Sequence, residues 1–234
     1  MNVRVEVVAV DCLMLRLFDD IDEVHMPWLI AATQRLRALF GDALIDLVPS
    51  YTTVMLHYDV LRIDSAHART LITQALHNLQ PADENSGRSH ELPVWYDPQV
   101  GPELTLLARR TGLSVSQVIA MHSNHRYRVF ALGFAPGFAY MGLVEPQLAA
   151  PRLVTPRQRV PRGSVALAER QTATYPQVSP GGWNVLGRTP VALFDRTLDG
   201  YSLLQPGDRV RFVPVDHAEF VRLGGDDTAL EAFP

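Results

Sequence analysis

The chain has 234 residues, 47% of them hydrophobic and 20% charged, which is the balance of a globular protein with one large or two small domains. The 21 lysines and arginines against 25 aspartates and glutamates give a formal net charge of −4, so no overall basic excess would attract nucleic acid or an anionic membrane surface. No stretch is apolar for long enough to span a membrane, and no apolar run of a signal peptide follows the N-terminus. With Cys12 as the single cysteine, an internal disulfide is excluded, and we expect a cytoplasmic protein.

The first hundred residues alternate between strand-like and helical patterns. Apolar residues alternate as in a strand or recur at helical spacing in six segments, which are Val3 to Ala9, Pro27 to Phe40, Ala43 to Val48, Tyr51 to Val60, Ser65 to Leu79 and Leu92 to Tyr96. Their order is β-α-β-β-α-β, the split β-α-β arrangement of ferredoxin-like folds. We therefore predict a ferredoxin-like α/β sandwich at residues 1–98.

The rest of the chain first becomes helical and then changes character. Two short helical patterns, Glu103 to Thr111 and Ser114 to Met121, predict a helical connection over residues 99–124. After His125, frequent prolines and glycines separate short strand-like pieces, which indicates an all-β barrel or sandwich at residues 125–215. A tail at 216–234 follows, so the predicted class is α+β.

Three groups of motifs in the second half stand in a characteristic order. They are His122 to Val129 with Gly133 to Tyr140, then Pro151 to Leu153, Pro156-Arg157 and Val160 to Leu167, and then Tyr175-Pro176, Ser179 to Asn184, Gly187 to Pro190 and Leu204 to Phe212. In order and spacing these blocks resemble the family of B-type 5-oxoprolinase subunits, which includes an inhibitor of a sporulation histidine kinase. The resemblance is strong from His122 to Pro214 and looser over the first hundred residues.

The resemblance implies a cyclophilin-like β-barrel for the second half. It also implies a heteromer, in which this chain acts with a C-type partner subunit and a separate A-type subunit. The assembly would open the lactam of 5-oxo-L-proline to L-glutamate while ATP, as co-substrate, is hydrolysed. Two positions depart from the family, Arg162 where a small residue is common and Glu169 where glycine is common, and a third, Glu103, replaces aspartate.

Two loops are candidates for the substrate and nucleotide site. In the first, Gly133, Pro136 and Gly137 favour a constrained backbone that presents N–H groups to an oxyanion, and Phe134, Phe138 and Tyr140 would wall a pocket for a flat lactam ring. In the second, Pro180, Gly181 and Gly182 permit close approach beside Trp183, which is alternatively a core residue or a partner anchor. A tight barrel turn packed by aromatic residues would explain the first loop equally well.

Single residues complete the candidate site. His122 is the predicted catalytic proton shuttle, although a histidine closing a helix end would look the same. Arg157, with Arg152 and Arg188, could clamp a carboxylate or phosphate, and Gln171 and Tyr175 could add neutral hydrogen bonds. No phosphate-binding glycine loop of a standard kind occurs and no metal-ligand spacing is found, so ATP would bind in an unusual site or on a partner.

Other functions fit the same motifs. The chain could inhibit a histidine kinase through the surface of the barrel, or belong to urea carboxylase or allophanate hydrolase metabolism. The sequence leaves these open, because the same loops would serve each function.

Overall fold

A computed structural model describes residues 3–83, 86–198 and 200–231. The chain forms two compact units, Met1–Gly87 and Arg88–Pro234. The sequence-based division after residue 98 differs from this one, because the strand predicted at Leu92 to Tyr96 pairs with the sheet of the second unit.

The first unit is a four-stranded antiparallel sheet with two helices, in strand order β1-β2-β4-β3. Its elements are β1 (Arg4–Ala9), β2 (Cys12–Arg16), α1 (Met26–Phe40), β3 (Leu44–Ser50), β4 (Thr53–Tyr58) and α2 (Ser65–Leu76), with 3-10 turns at Glu23–His25 and Gly41–Ala43. Alternate residues of β2 and β4, such as Leu15 and Leu56, are fully buried with Leu36 of α1 and Ile72 of α2. This alternation is the pattern expected of a sheet that is covered on one face.

The strand order corrects the predicted β-α-β-β-α-β arrangement at both ends. The chain begins with a hairpin, because the apolar run from Cys12 forms β2 and pairs with β1. The split β-α-β unit is retained: α1 connects β2 to β3 along the chain, and β4 lies between these two strands in the sheet. The edge position beside β2, where the last strand of a ferredoxin-like fold would lie, is taken by β1.

The second unit is built on a seven-stranded sheet in the order β12-β9-β10-β7-β6-β13-β5. Its elements are β5 (Ser89–Val94), α3 (Glu103–Thr111), α4 (Val115–Ser123), β6 (Tyr127–Leu132), β7 (Ala139–Gly142), β8 (Arg157–Val160), β9 (Ser164–Ala168), β10 (Gln171–Thr174), β11 (Ser179–Gly181), β12 (Asn184–Arg188), β13 (Arg209–Pro214) and α5 (His217–Arg222), with a 3-10 turn at Pro146–Leu148. Strands β8 and β11 form a separate two-stranded sheet.

The seven strands form a nearly closed barrel. At its two ends, Trp95 and Arg188 exchange a pair of backbone hydrogen bonds of 2.9 Å each, which joins the continuation of β5 to β12. Helices α3 and α4, predicted as a connection between domains, pack Leu104, Leu107 and Val118 into the main barrel cluster. The predicted α+β class with a C-terminal barrel is confirmed. No helix within the described ranges combines the length and apolar character needed to cross a bilayer.

Candidate functional site

The loop between β6 and β7 is held by its own backbone. Phe134 and Gly137 have φ angles of 67° and 83°, in the left-handed region that favours glycine. A Cβ at Gly137 would lie 2.9 Å from both the Leu193 carbonyl oxygen and Phe194 Cβ, so only glycine fits against that neighbouring segment.

The internal hydrogen bonds of this loop bear on the predicted oxyanion site. The Gly133 N–H donates to the Phe138 carbonyl at 3.1 Å, and the Phe138 N–H donates to the Ala135 carbonyl at 2.9 Å. The Ala135 N–H donates to the Gly133 carbonyl at 2.8 Å. These three donors are therefore occupied by the loop itself and are not presented to a ligand. The loop instead serves to place aromatic rings.

Phe138 is the centre of a cluster that unites the two predicted loops. Phe138 is 2% exposed. The centroid of its ring lies 5.2 Å from that of Phe134, 4.9 Å from Tyr140, 5.4 Å from Tyr175 and 5.8 Å from Trp183, each time nearly edge to face. We call these five residues the aromatic cluster. Phe134, 60% exposed, is its solvent-facing member, whereas Trp183 is only 5% exposed. The sequence blocks at 133–140 and 179–183 thus form one structure.

The glycines of the second loop make room for Tyr175. A Cβ at Gly181 would lie 2.2 Å from the Tyr175 hydroxyl oxygen, a distance that no side chain tolerates. Burial raises the pKa of Tyr175 to about 12, so this phenol stays neutral and can act as a hydrogen-bond donor at neutral pH. Pro180 is exposed, and the buried Gly182 accepts a 2.7 Å hydrogen bond from the Leu153 N–H.

Arg157 is committed to an internal ion pair. Its guanidinium donates to both carboxylate oxygens of Glu103 at 3.1 and 2.6 Å, and both side chains are almost fully buried. Glu103 Oε2 also accepts from the Val185 N–H at 2.9 Å. The predicted role of Arg157 as an anion clamp is not supported, because its carboxylate partner already lies within the protein. Glu103 stands where the family has aspartate, so a carboxylate is retained at this position.

His122 occupies a closed polar centre of the barrel. The side chain is fully buried and stacks on Phe212 at 4.8 Å. Thr172 Oγ1 donates to the Ala166 carbonyl at 3.0 Å, so it must accept the 2.9 Å bond from His122 Nε2–H. Nδ1 is then the acceptor for the Tyr96 hydroxyl at 2.7 Å.

This setting favours a structural histidine over the predicted proton shuttle. Burial lowers the pKa of His122 to about 3, so the imidazole is neutral at neutral pH. Both ring nitrogens have partners within the protein. The predicted alternative, a histidine that closes a helix end, is close to what is seen, except that its partners are side chains of Tyr96 and Thr172.

Strand β10 separates these two regions. Thr172 faces His122, whereas Ala173 packs with the aromatic cluster. Because side chains alternate along a strand, the half-buried Gln171 shares the face of Ala173 and Tyr175. Of the predicted site residues, Gln171 therefore goes with the aromatic cluster, and His122 lies on the opposite face.

The remaining predicted arginines differ in exposure. Arg152 is exposed and lies 5.9 Å from the Trp183 ring, within reach of a cation–π contact. Arg188 is 1% exposed and is covered by residues 226–228. Leu230 of the tail also packs against the buried apolar cluster that contains Phe138, Tyr175 and Trp183 together with aliphatic residues, a contact that no motif had indicated.

The two departures from the family lie in turns. Glu169 joins β9 to β10 with a φ of 51°, which explains why glycine is common there. Arg162 is exposed beside Gly163 in the turn before β9. Among the residues that the structure describes, no group of three or more histidines, cysteines or carboxylates could hold a metal ion.

Comparisons with known proteins agree with this architecture. Residues 3–204 match the model of the carboxyltransferase domain, subdomain C and D. The B-type subunit of the 5-oxoprolinase of Escherichia coli O157:H7 is 38% identical over 198 residues, covering 82% of this chain and 90% of that protein.

Two solved structures show the same fold within longer chains. The structure of TTHA0988 has a TM-score of 0.77 and 39% identity, and the match covers 88% of this chain but only 40% of that one. The Kluyveromyces lactis urea carboxylase has a TM-score of 0.75 at 17% identity, over 97% of this chain and 23% of that one. The second likeness concerns the fold alone. From the domain match and the extent of its identity with the E. coli protein, this chain belongs to the family of B-type 5-oxoprolinase subunits.

Proposed function

We propose that this chain is the B-type subunit of a cytoplasmic, ATP-dependent 5-oxoprolinase, and that it acts with a C-type and an A-type subunit to convert 5-oxo-L-proline into L-glutamate. The observation that carries the proposal is the convergence of two family motif blocks, residues 133–140 and 179–183, in one aromatic cluster. The E. coli relative is named as one subunit of a 5-oxoprolinase, which supports both the reaction and the dependence on partners.

The chemistry explains why partners are needed. A lactam is a stabilised amide, and transfer of the ATP γ-phosphoryl group to its oxygen makes the ring carbon electrophilic. Water then adds to that carbon, the C–N bond breaks and the nitrogen takes a proton, which leaves γ-glutamyl phosphate. A second water hydrolyses this acyl phosphate to the free carboxylate and inorganic phosphate. These steps require cationic or N–H donors for phosphate and a group that moves a proton.

The residues of this chain supply only part of that machinery. The aromatic cluster offers a flat apolar wall, with exposed Phe134 at its surface and the neutral Tyr175 hydroxyl within it. Arg157 is neutralised by Glu103, and His122 is enclosed. Neither of these two side chains is free to bind phosphate or to move a proton, so a partner would supply a proton-moving group and further phosphate-binding groups, which agrees with the position of this fold as 40% of the longer TTHA0988 chain.

Reconstitution tests the proposal. The chain, co-expressed with C-type and A-type subunits, should show 5-oxoproline-dependent release of ADP together with glutamate. Trp183→Ala should lower kcat/KM by roughly 10- to 100-fold, since misplacing a substrate wall by about 1 Å has effects of that size. Val154→Ala, at a fully exposed position of the same unit, is the matched control and should leave turnover unchanged.

Two results would count against this function. Absence of turnover from all three folded subunits would overturn it. Inhibition of histidine kinase autophosphorylation by this chain alone, without such turnover, would instead favour the inhibitor function. If Trp183→Ala abolishes co-purification with the C-type partner, Trp183 belongs to the interface with that partner and not to a substrate wall.

A further inference from the structure

Arg188 is a buried cation at the seam of the barrel. It is the last residue of β12, its backbone closes the barrel against Trp95, and its side chain is 1% exposed. A charged side chain in such a place normally has a buried partner of opposite charge, because removing the charge from water is costly.

The guanidinium of Arg188 is satisfied on one nitrogen only. Nη1 donates to the carbonyl oxygens of Asp226 and Thr228 at 2.7 and 2.9 Å. Across the described part of the chain, Nε and Nη2 have no acceptor. The nearest carboxylate, that of Asp226, is 68% exposed, and its oxygen lies 3.9 Å from Nη1, beyond hydrogen-bond distance.

A second buried polar group, which has no partner among the described residues, lies on the neighbouring strand. Ser164 is directly opposite Arg188 in the register of β9 and β12, and side chains of such pairs share a face. Its hydroxyl is fully buried and, within residues 3–83, 86–198 and 200–231, makes no hydrogen bond. A Cβ at Gly163 would lie 2.2 Å from the Thr189 carbonyl oxygen and 3.3 Å from Arg188 Cγ, so glycine is required where this turn packs against the end of β12.

The segment that covers Arg188 is held mainly through backbone contacts. We call residues 226–231 the tail segment. Gln99 bonds to it twice, through its side-chain amide to the Asp227 carbonyl and through its own carbonyl to the Leu230 N–H, both at 2.8 Å. Leu230 adds apolar contact with the buried cluster that contains Phe138, Tyr175 and Trp183, and His217 pairs with Asp227 at 2.9 Å where both are about half exposed. Such a segment can separate from the barrel without unfolding it.

We propose that Arg188 and Ser164 form an oxyanion-binding site for a carboxylate or phosphate group, and that the tail segment closes it. The free edge of the guanidinium, Nε and Nη2, is the edge that receives two oxygens of such a group in parallel, and the Ser164 hydroxyl donates to one of them. The tail carbonyls occupy the remaining nitrogen and hold the site shut. Because Arg188 is inaccessible in the closed form, the anion binds only to molecules whose tail has moved, and its apparent affinity is reduced accordingly.

The inference does not rest on the proposed function, because it is tested on this chain alone by direct binding. Isothermal titration calorimetry of the full chain at constant ionic strength would use inorganic phosphate in one arm and L-glutamate or 5-oxo-L-proline in the other. The arm with the higher affinity identifies the source of the oxyanion. Failure of reconstituted turnover would leave these titrations unaffected.

Loosening the tail should strengthen binding. Leu230→Ala removes the apolar contact of the tail segment, so a larger fraction of molecules is open and the affinity should rise roughly fivefold or more. Arg188→Met should abolish binding, and Arg188→Lys, which keeps the charge but not the two-pronged edge, should lower the affinity at least about tenfold. Ser164→Ala should weaken binding by roughly three- to tenfold through loss of one hydrogen bond.

Thr174→Val is the matched control. Its hydroxyl is also buried and, within the described residues, without a partner, but Thr174 pairs with Val165, which belongs to the main barrel cluster on the other face. This variant should bind the anion as the wild type does. Unchanged or weaker binding by Leu230→Ala, or unchanged binding by Ser164→Ala, would overturn the proposal, and these two variants decide it even if the Arg188 variants fail to fold.

Discussion

Two buried polar regions of the barrel unit differ in how fully they are satisfied. Around His122, both ring nitrogens, the Tyr96 hydroxyl and the Thr172 hydroxyl have partners. Around Arg188, two guanidinium nitrogens and the Ser164 hydroxyl have none among the described residues. A fully satisfied network rigidifies a core, whereas a half-satisfied one costs stability and calls for a ligand to complete it. The difference points away from the histidine and toward the arginine as the group that awaits a ligand.

The largest effect on stability is expected at the other buried arginine, Arg157. Glu103→Gln would remove the buried carboxylate that Arg157 contacts at 2.6 Å. Removing one member of a buried ion pair typically costs about 3–5 kcal/mol, and we expect the free energy of unfolding to fall by about that amount. Urea denaturation of the variant measures it, with Glu91→Gln, from an exposed pair with Arg211, as the control near zero.

The double variant separates charge from packing. Glu103→Gln with Arg157→Met replaces both charges by neutral side chains, and it should recover much of the loss. If the single Glu103→Gln variant is as stable as the wild type, the buried pair is not a structural element and Arg157 returns as a candidate anion clamp.

The pH dependence of stability tests the enclosed histidine. The pKa of His122 is about 3 in the folded protein against 6.5 for an ordinary histidine, so between these values the unfolded chain takes up a proton that the folded chain excludes. The free energy of unfolding should therefore fall as the pH drops below about 6.5, by about 2 kcal/mol from this group at about pH 5. Thermal unfolding between pH 7 and pH 5 measures this.

A histidine-free variant isolates that effect. His122→Gln should be less stable at pH 7 but should lose less stability on acidification than the wild type does. His67→Gln, at an exposed position of α2, should keep the wild-type dependence. Equal acid sensitivity in the wild type and His122→Gln would mean that His122 is accessible to protons, and the proton-shuttle hypothesis would regain support.

The sequence predicted the parts of this molecule that are set by local pattern. The helices, the two glycine-rich loops and an all-β second half follow from periodicity, prolines and glycines, and the family resemblance favoured a barrel over a sandwich. The strand at Leu92 exists, but the sequence assigned it to the first domain, because periodicity does not say which sheet a strand joins. In the structure it pairs in parallel with β13, more than a hundred positions away. The sequence also missed the hairpin, since a short strand after Cys12 resembles any apolar run.

The candidate site was predictable only in part, for a physical reason. Residue type shows what a side chain can do, but its partners decide whether it is free to do it. His122, Arg157 and Arg188 looked alike as polar residues in motifs, and only the contacts separate an enclosed histidine, a paired arginine and a half-satisfied one. At Glu169, the glycine common in the family was a signal that the sequence analysis did not interpret, and the φ of 51° in the structure explains it.

The smallest expected changes in stability come from removing one hydroxyl in each region, Thr172 beside His122 and Ser164 opposite Arg188. Thr172→Val removes the acceptor of His122 Nε2–H and leaves a buried donor unpaired, so the free energy of unfolding should fall by about 1–3 kcal/mol. Ser164→Ala removes a buried hydroxyl that has no partner among the described residues, so without anion it should be neutral or stabilising by up to about 1 kcal/mol. Both follow from urea denaturation in a chloride buffer. Changes of opposite sign in the free energy of unfolding would establish that the network around His122 is complete and the one around Arg188 is not. A comparable loss of stability in Ser164→Ala would show that its hydroxyl already has a partner in the free protein and that the site beside Arg188 is not vacant.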